Sequence, residues 1–145
     1  MASPNPSWLF FALLSALFAA LTAIFAKIGV EGINSNFATF LRTLVIVAMT
    51  GAIVLATRSA QPLGSISARS YIFLTLSALA TGASWLCYFR ALQIGEAARV
   101  APIDKLSTVL VAVFGVAFLG ETLSGVNWLG VVLIAVGAVL VAFGG

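Results

Sequence analysis

The sequence predicts an all-α integral membrane protein with five transmembrane helices. Of its 145 residues, 62% are hydrophobic and 8% are charged, and the mean hydropathy is +1.18. A soluble domain carries about a quarter charged residues. The apolar residues run continuously instead of alternating with a period of two, which disfavours a transmembrane β-barrel. Helices that cross a bilayer are therefore the predicted elements.

Five uncharged windows locate these helices. They cover residues 8–26, 43–57, 70–89, 106–120 and 122–145. The second and fourth windows are shorter than the roughly 20 residues that a span needs. Both become long enough if Arg42 lies in the first turns of its helix and the Asp104–Lys105 pair lies inside the start of the other. We predict a single domain of residues 1–145 with spans near residues 7–28, 36–57, 70–90, 98–119 and 126–144.

Several function classes are disfavoured by composition. Histidine is absent, Cys87 is the one cysteine, and no acidic residues have metal-ligand spacing, so we expect no cofactor, no metal and no enzymatic activity. There is no GxxxxGK[ST] phosphate loop, so ATP hydrolysis in this chain would not power transport. We interpret the net charge of +3 as topology information rather than as a nucleic-acid surface. The first apolar run is too long for a signal peptide and stays as a span.

Each of the first two spans contains one basic residue. Lys27 either faces a polar cavity or extends its ammonium group to the lipid headgroups. Arg42 lies about a turn and a half inside the second span, where it either reaches back to the interface or meets a carboxylate. The short loop at residues 31–36 predicts that the two spans are antiparallel neighbours.

The third span carries a polar stripe. Ser77, Thr81, Ser84 and Tyr88 recur at steps of four, three and four residues, and Trp85 adjoins them. Such a face either lines a solute cavity or consists of hydroxyls that bond their own preceding carbonyls or a neighbouring helix. We favour the cavity, because five adjoining polar or amphipathic side chains exceed what packing needs.

Charged residues also lie at the start of the fourth span. Pro102 either opens this helix or kinks it. Asp104 is the first candidate for a coupling-ion or proton site, with Lys105 or Arg90 as its partner, and Thr108 extends the polar face one turn further on. The alternative is a structural ion pair that closes a hinge.

The last span predicts an assembly surface. Gly130, Gly137 and Gly144 are seven residues apart on one flank of an apolar helix, a spacing that suits close helix pairing within or between subunits. The preceding Glu121 lies at an interfacial turn, where we expect it to cap or pin helices.

Residues 88–142 also resemble the EamA-type half repeat of the drug/metabolite transporter superfamily, and the first half matches more loosely. The resemblance rests on Tyr88, Ala91-Leu92, Gly95-Glu96-Ala97, Pro102, Leu119-Gly120-Glu121, Trp128-x-Gly130 and Gly137, with Phe25-Ala26-Lys27 and Arg42 in the first half. Members typically carry ten helices as two inverted repeats around a cavity, and export or exchange amino acids, metabolites or drugs. A single repeat implies a dimer in the cell (inner) membrane: an antiparallel homodimer or a pair with a homologous subunit.

The distribution of basic residues bears on orientation. Arg58 and Arg69 lie on the N-terminal side of the membrane, and five basic residues lie on or near the other side: Lys27, Arg42, Arg90, Arg99 and Lys105. This count favours an outside N-terminus, whereas the first repeat of fused relatives has it inside. We interpret the conflict as permitting both orientations, as an antiparallel dimer requires.

Together these observations predict a secondary transporter. The predicted cavity residues are Ser77, Thr81, Ser84, Trp85, Tyr88 and Thr108, and the predicted coupling or ion-pair residues are Asp104, Lys105, Arg90, Arg42 and Lys27. Aromatic and hydroxyl groups suit a small amphipathic or cationic solute. The alternative is an accessory or flippase subunit for lipid-linked sugars, which would use the same faces for packing and have no solute cavity of its own.

Overall fold

The computed structural model describes residues 7–144, and every regular element in that range is helical. The helices are α1 (Ser7–Gly29), α2 (Ser35–Ala56), α3 (Ala68–Ile94), α4 (Ala97–Asp104), α5 (Leu106–Leu119) and α6 (Gly125–Phe143), with a 3₁₀ turn at Leu63–Ser65. Five stretches are long and apolar enough to cross a membrane: α1, α2, α3, Ala97–Leu119 (α4 with α5) and α6. The predicted fold class and number of spans are confirmed.

The helices expose most of their apolar side chains. In each candidate span no more than 11% of the most apolar 18-residue window is buried. A soluble protein could not tolerate so much exposed apolar surface, whereas lipid chains solvate it. The few buried positions therefore identify the contacts that fix the helices in place.

Contacts divide the described chain into two compact units. The terminal unit comprises residues 7–27 and 94–144, and the α2–α3 unit comprises residues 28–93. In the terminal unit α6 contacts both α4 and α5. Its buried residues are all small, namely Ala23, Ala26, Gly115, Ala138 and Ala142. Small side chains let helix backbones approach closely, which is how helices associate in lipid.

The core of the α2–α3 unit lies where α2 begins and α3 ends. Leu92 and Val30 are the largest fully buried side chains, and Phe89 is 3% exposed. Asn34 caps α2, since its side-chain oxygen accepts hydrogen bonds from the backbone N–H groups of Asn36 (2.9 Å) and Phe37 (3.3 Å). The cap and this core fix the start of α2 beside the end of α3.

The fourth span is not one continuous helix. α4 ends at Asp104, α5 begins at Leu106, and Pro102 lies inside α4 rather than at its first position. Proline lacks an N–H donor and crowds the preceding turn, so it weakens the helix around it. Thr108 donates both its N–H (3.0 Å) and its hydroxyl (2.6 Å) to the carbonyl of Lys105. The helix break therefore does not leave this carbonyl unpaired.

The turn between α5 and α6 depends on Gly120. Its φ of +69° is left-handed, and the N–H of Glu121 bonds the carbonyl of Gly115 at 3.1 Å. The Glu121 side chain folds back over Gly115, where a Cβ atom would come within 2.5 Å of the carboxylate. Ser124 then caps α6 by accepting the N–H of Asn127 at 3.2 Å.

We expect Gly120→Ala to lower the free energy of unfolding by about 1 kcal/mol, because L residues are strained in the left-handed region. The matched control is Gly125→Ala at the start of α6, where an added Cβ meets nothing within 4 Å and φ is not positive. That control should be neutral or slightly stabilising. Thermal unfolding in detergent micelles measures both, and equal effects of the two substitutions would contradict the assigned turn.

Candidate functional site: a groove between α2 and α3

A groove of about 550 Å³ lies within the α2–α3 unit. Small-molecule sites typically measure about 300–1,000 Å³ and combine apolar walls with a few polar groups. From α2 the lining residues are Asn36, Thr39, Phe40, Thr43 and Ile46, and from α3 they are Leu74, Ser77, Ala78, Thr81, Gly82, Trp85 and Leu86. The groove therefore has the size and composition of a solute site.

Helical periodicity brings the polar groups together. Asn36, Thr39 and Thr43 are three and four residues apart on α2, and Ser77 and Thr81 are four apart on α3. Residues at these spacings share one face of a helix. Each helix thus presents a short polar stripe to an otherwise apolar groove.

Three threonine hydroxyls in the groove donate their protons to the backbone. Thr39 bonds the Ser35 carbonyl at 2.9 Å, Thr43 bonds the Thr39 carbonyl at 2.8 Å, and Thr81 bonds the Ser77 carbonyl at 2.8 Å. A hydroxyl with its proton engaged in this way still has a lone pair to offer. These oxygens can therefore accept hydrogen bonds from N–H or O–H groups of a solute.

Arg42 lies over two aromatic rings, one of which, Trp85, lines the groove. Its guanidinium carbon lies 4.2 Å from the centre of the Trp85 ring and 5.4 Å from that of Phe89. Both distances are within the range of cation–π attraction. Arg42 is not itself a lining residue, but Trp85 is. The Trp85 indole therefore lines the groove and also contacts the positively charged Arg42. Arg42 lies about 10 Å along α2 from the start of that helix.

Of the predicted cavity residues, Ser77, Thr81 and Trp85 line this groove, whereas Ser84 and Tyr88 do not. Ser84 precedes Trp85 by one position, which turns it about 100° around the helix. Tyr88 is half-buried and lies near Arg42. The roles assigned to these residues stay predictions.

Asp104, Lys105 and Thr108, three of the predicted site residues, lie at the break between α4 and α5 in the terminal unit. Asp104 and Lys105 form an ion pair at 3.3 Å, and Thr108 bonds the carbonyl of Lys105. Lys27, in the same unit, donates a hydrogen bond to the carbonyl of Gly95 at 2.9 Å. Lys105 thus forms an ion pair with Asp104, and the coupling role predicted for the pair stays a prediction.

Arg90 participates in a hydrogen-bond chain at the end of α3. It donates to the side-chain oxygen of Gln93 at 2.7 Å, and the Gln93 amide donates to the carbonyl of Ile33 at 2.8 Å. These bonds connect α3 to the loop before α2. Arg90 is therefore held near the end of the α2–α3 unit rather than in the groove.

Asn36, Thr39 and Thr43 also line the groove, although their positions in the sequence did not lead us to predict it. Their spacing of three and four residues was a usable signal, of the same kind as the stripe on α3. Arg42 lies in the same part of α2, and its charge favoured an interpretation of this segment as an interface or ion-pair site.

The sequence matches the EamA-like transporter family over residues 6–143. A protein of a Sinorhizobium species, named an uncharacterized transporter in the cobO 3' region, is 64% identical over 138 residues, which cover 95% of this chain and 98% of that protein. Solved structures gave no significant match.

Proposed function

We propose that this chain, which belongs to the EamA-like transporter family and is therefore a membrane transporter, works as a secondary transporter. It exports or exchanges a small metabolite, amino acid or drug-like amphipathic solute across the cell (inner) membrane. The groove between α2 and α3 carries this proposal. Its volume of about 550 Å³ and its polar stripes suit a solute rather than a tightly packed helix interface.

A dimer would complete the transport pathway. The Sinorhizobium relative matches over 98% of its length and thus has room for only one such domain. Apart from the adjacent residues and the backbone of α6 itself, no atom of the described chain lies within 4 Å of a Cβ placed on Gly130 or Gly137, so this face of α6 is open to a partner helix. We propose an antiparallel homodimer or a pair with a homologous subunit.

In such a dimer the grooves of two copies would form one cavity near the middle of the bilayer. Rocking of one copy against the other would expose it alternately to each side. Hydroxyl lone pairs and the Trp85 ring would bind the solute, and the Asp104–Lys105 pair would couple the motion to an ion or proton. The chain itself would carry out no enzymatic step.

Cysteine accessibility tests this mechanism without a known substrate. In a Cys87→Ala background, Thr81→Cys places a thiol in the groove, and Leu79→Cys places one on a side chain that is 66% exposed on α3 and does not line the groove. A membrane-impermeant maleimide is added to right-side-out or to inverted vesicles. We expect the maleimide to label nearly all copies at position 81 in either vesicle orientation. At position 79 we expect little reaction in both orientations.

Other outcomes contradict alternating access. A fixed groove in copies of both orientations would react to about half from each side, and a fixed groove in one orientation would react from a single side. No reaction at position 81 would indicate a packing face, as expected of an accessory or flippase subunit.

A further inference from the structure

We propose that the groove between α2 and α3 selects organic anions, and that Arg42 sets the sign of the charge it accepts. The inference rests on the proposed function, because it names the solute class of the same groove. It follows from the charges of the α2–α3 unit, from the geometry of Arg42 and from the groups that line the groove.

The positive net charge of the protein resides in the α2–α3 unit. Residues 28–93 contain four arginines, Arg42, Arg58, Arg69 and Arg90, against one carboxylate, Glu31. The rest of the chain contains three basic and three acidic residues and is formally neutral. The only carboxylate of the α2–α3 unit lies in the loop before α2, and none lines the groove. A cationic solute would therefore meet no countercharge there.

A guanidinium that lies over an aromatic ring retains N–H donors for an anion. A guanidinium uses its flat face to contact an aromatic ring, whereas its five N–H donors point outward in the plane. The ring beneath Arg42 is Trp85, which lines the groove. In a medium of low dielectric the charge acts across such a wall, so Arg42 does not have to line the groove to favour an anion.

The contact between Arg42 and Trp85 argues against a cationic solute. Free tryptophan faces attract cations, but one face of Trp85 already carries the Arg42 guanidinium at 4.2 Å. The threonine oxygens at positions 39, 43 and 81 have their protons on backbone carbonyls and can accept from a solute. The matching solute is an organic acid with an apolar body, and N–H or O–H groups away from its anionic end would add hydrogen bonds to these oxygens.

Three probes of similar size but different charge separate the effect of charge on binding from that of size: benzoate, benzamide and benzylammonium. The full chain, with Trp8→Phe and Trp128→Phe so that Trp85 is the sole tryptophan, is reconstituted in phosphatidylcholine nanodiscs. Trp85 emission reports binding. We expect a saturable response to benzoate with an affinity at least about tenfold above that for the other two probes, since the charge of Arg42 attracts an anion, does not attract a neutral probe and repels a cation. Equal or tighter binding of benzylammonium, or no response to benzoate, overturns the inference.

Variants assign the preference to Arg42. Arg42→Gln should weaken benzoate binding about tenfold or more, and Arg42→Lys should retain part of it because it keeps the charge. The matched control is Arg69→Gln, which removes another arginine of the same unit that lies over a ring, Phe73, at 5.9 Å. It should bind benzoate like the parent protein. Arg42→Gln with parental benzoate affinity, or equal losses in Arg42→Gln and Arg69→Gln, contradicts the assignment.

The two proposals fail separately. Two-sided labelling at position 81 depends on motion and not on the charge of a solute. If labelling is two-sided while benzylammonium binds best, the transporter mechanism stands and the anion inference falls. If benzoate binds through Arg42 while labelling is one-sided, the anion site stands and alternating access falls.

Discussion

Trp85→Ala should reduce transport at least about tenfold, more than the removal of any other side chain that lines the groove. Trp85 lines the groove and also carries the Arg42 guanidinium at 4.2 Å. Its removal deletes the largest aromatic contact surface and leaves the Arg42 guanidinium with only its more distant cation–π partner, Phe89 at 5.4 Å. Two defects thus follow from one substitution.

The measurement is uptake into proteoliposomes. The solute is the one that most raises the melting temperature of the purified protein in a screen of amino acids, amines and organic acids. Trp85→Phe should retain more transport than Trp85→Ala, because a phenyl ring still stacks on a guanidinium. The control is Trp8→Ala on α1, a side chain that is 62% exposed. Parental transport by Trp85→Ala would remove Trp85 from the site.

The helical architecture was predictable because bilayer thickness and the charge of individual residues determine it. Continuous apolar runs gave five spans, and the structure differs mainly at α3, which continues to Ile94 instead of ending near residue 90. The extra turn is held by the buried side chain of Leu92. Sequence analysis left open whether Pro102 opens or interrupts its helix; it lies inside α4, just before the break at Lys105.

The groove was only half predictable, because periodicity defines a helix face but not which neighbour the face meets. The stripe on α3 included Ser77 and Thr81, which line the groove, but also Ser84, which does not. The contact of Arg42 with Trp85 joins residues 43 positions apart. It depends on the rotation of α2 about its axis relative to α3, and no local pattern specifies that rotation.

The break in the fourth span leads to the second large effect, the complete loss of transport expected for Asp104→Asn. The Asp104–Lys105 pair, at 3.3 Å, lies about 10 Å along the span from Ala97. Removal of the carboxylate leaves Lys105 without its ion-pair partner, which should lower the stability of the protein. The matched control is Glu96→Gln, which breaks the Glu96–Arg99 pair at 2.9 Å. The Glu96 side chain is 74% exposed, against 33% for Asp104, and Glu96 precedes the first residue of the span, so its loss should change neither stability nor transport.

The double variant Asp104→Asn with Lys105→Gln separates a coupling site from a structural pair. Both roles predict that the double variant regains the stability lost in Asp104→Asn, because no unpaired charge remains. Only a structural pair predicts that transport returns as well. A carboxylate that binds the coupling ion or proton is still missing in the double variant, so we expect thermal stability to recover while uptake stays absent. Recovery of uptake together with stability would assign the pair to the hinge alone, and the coupling group would then have to be sought elsewhere in the chain.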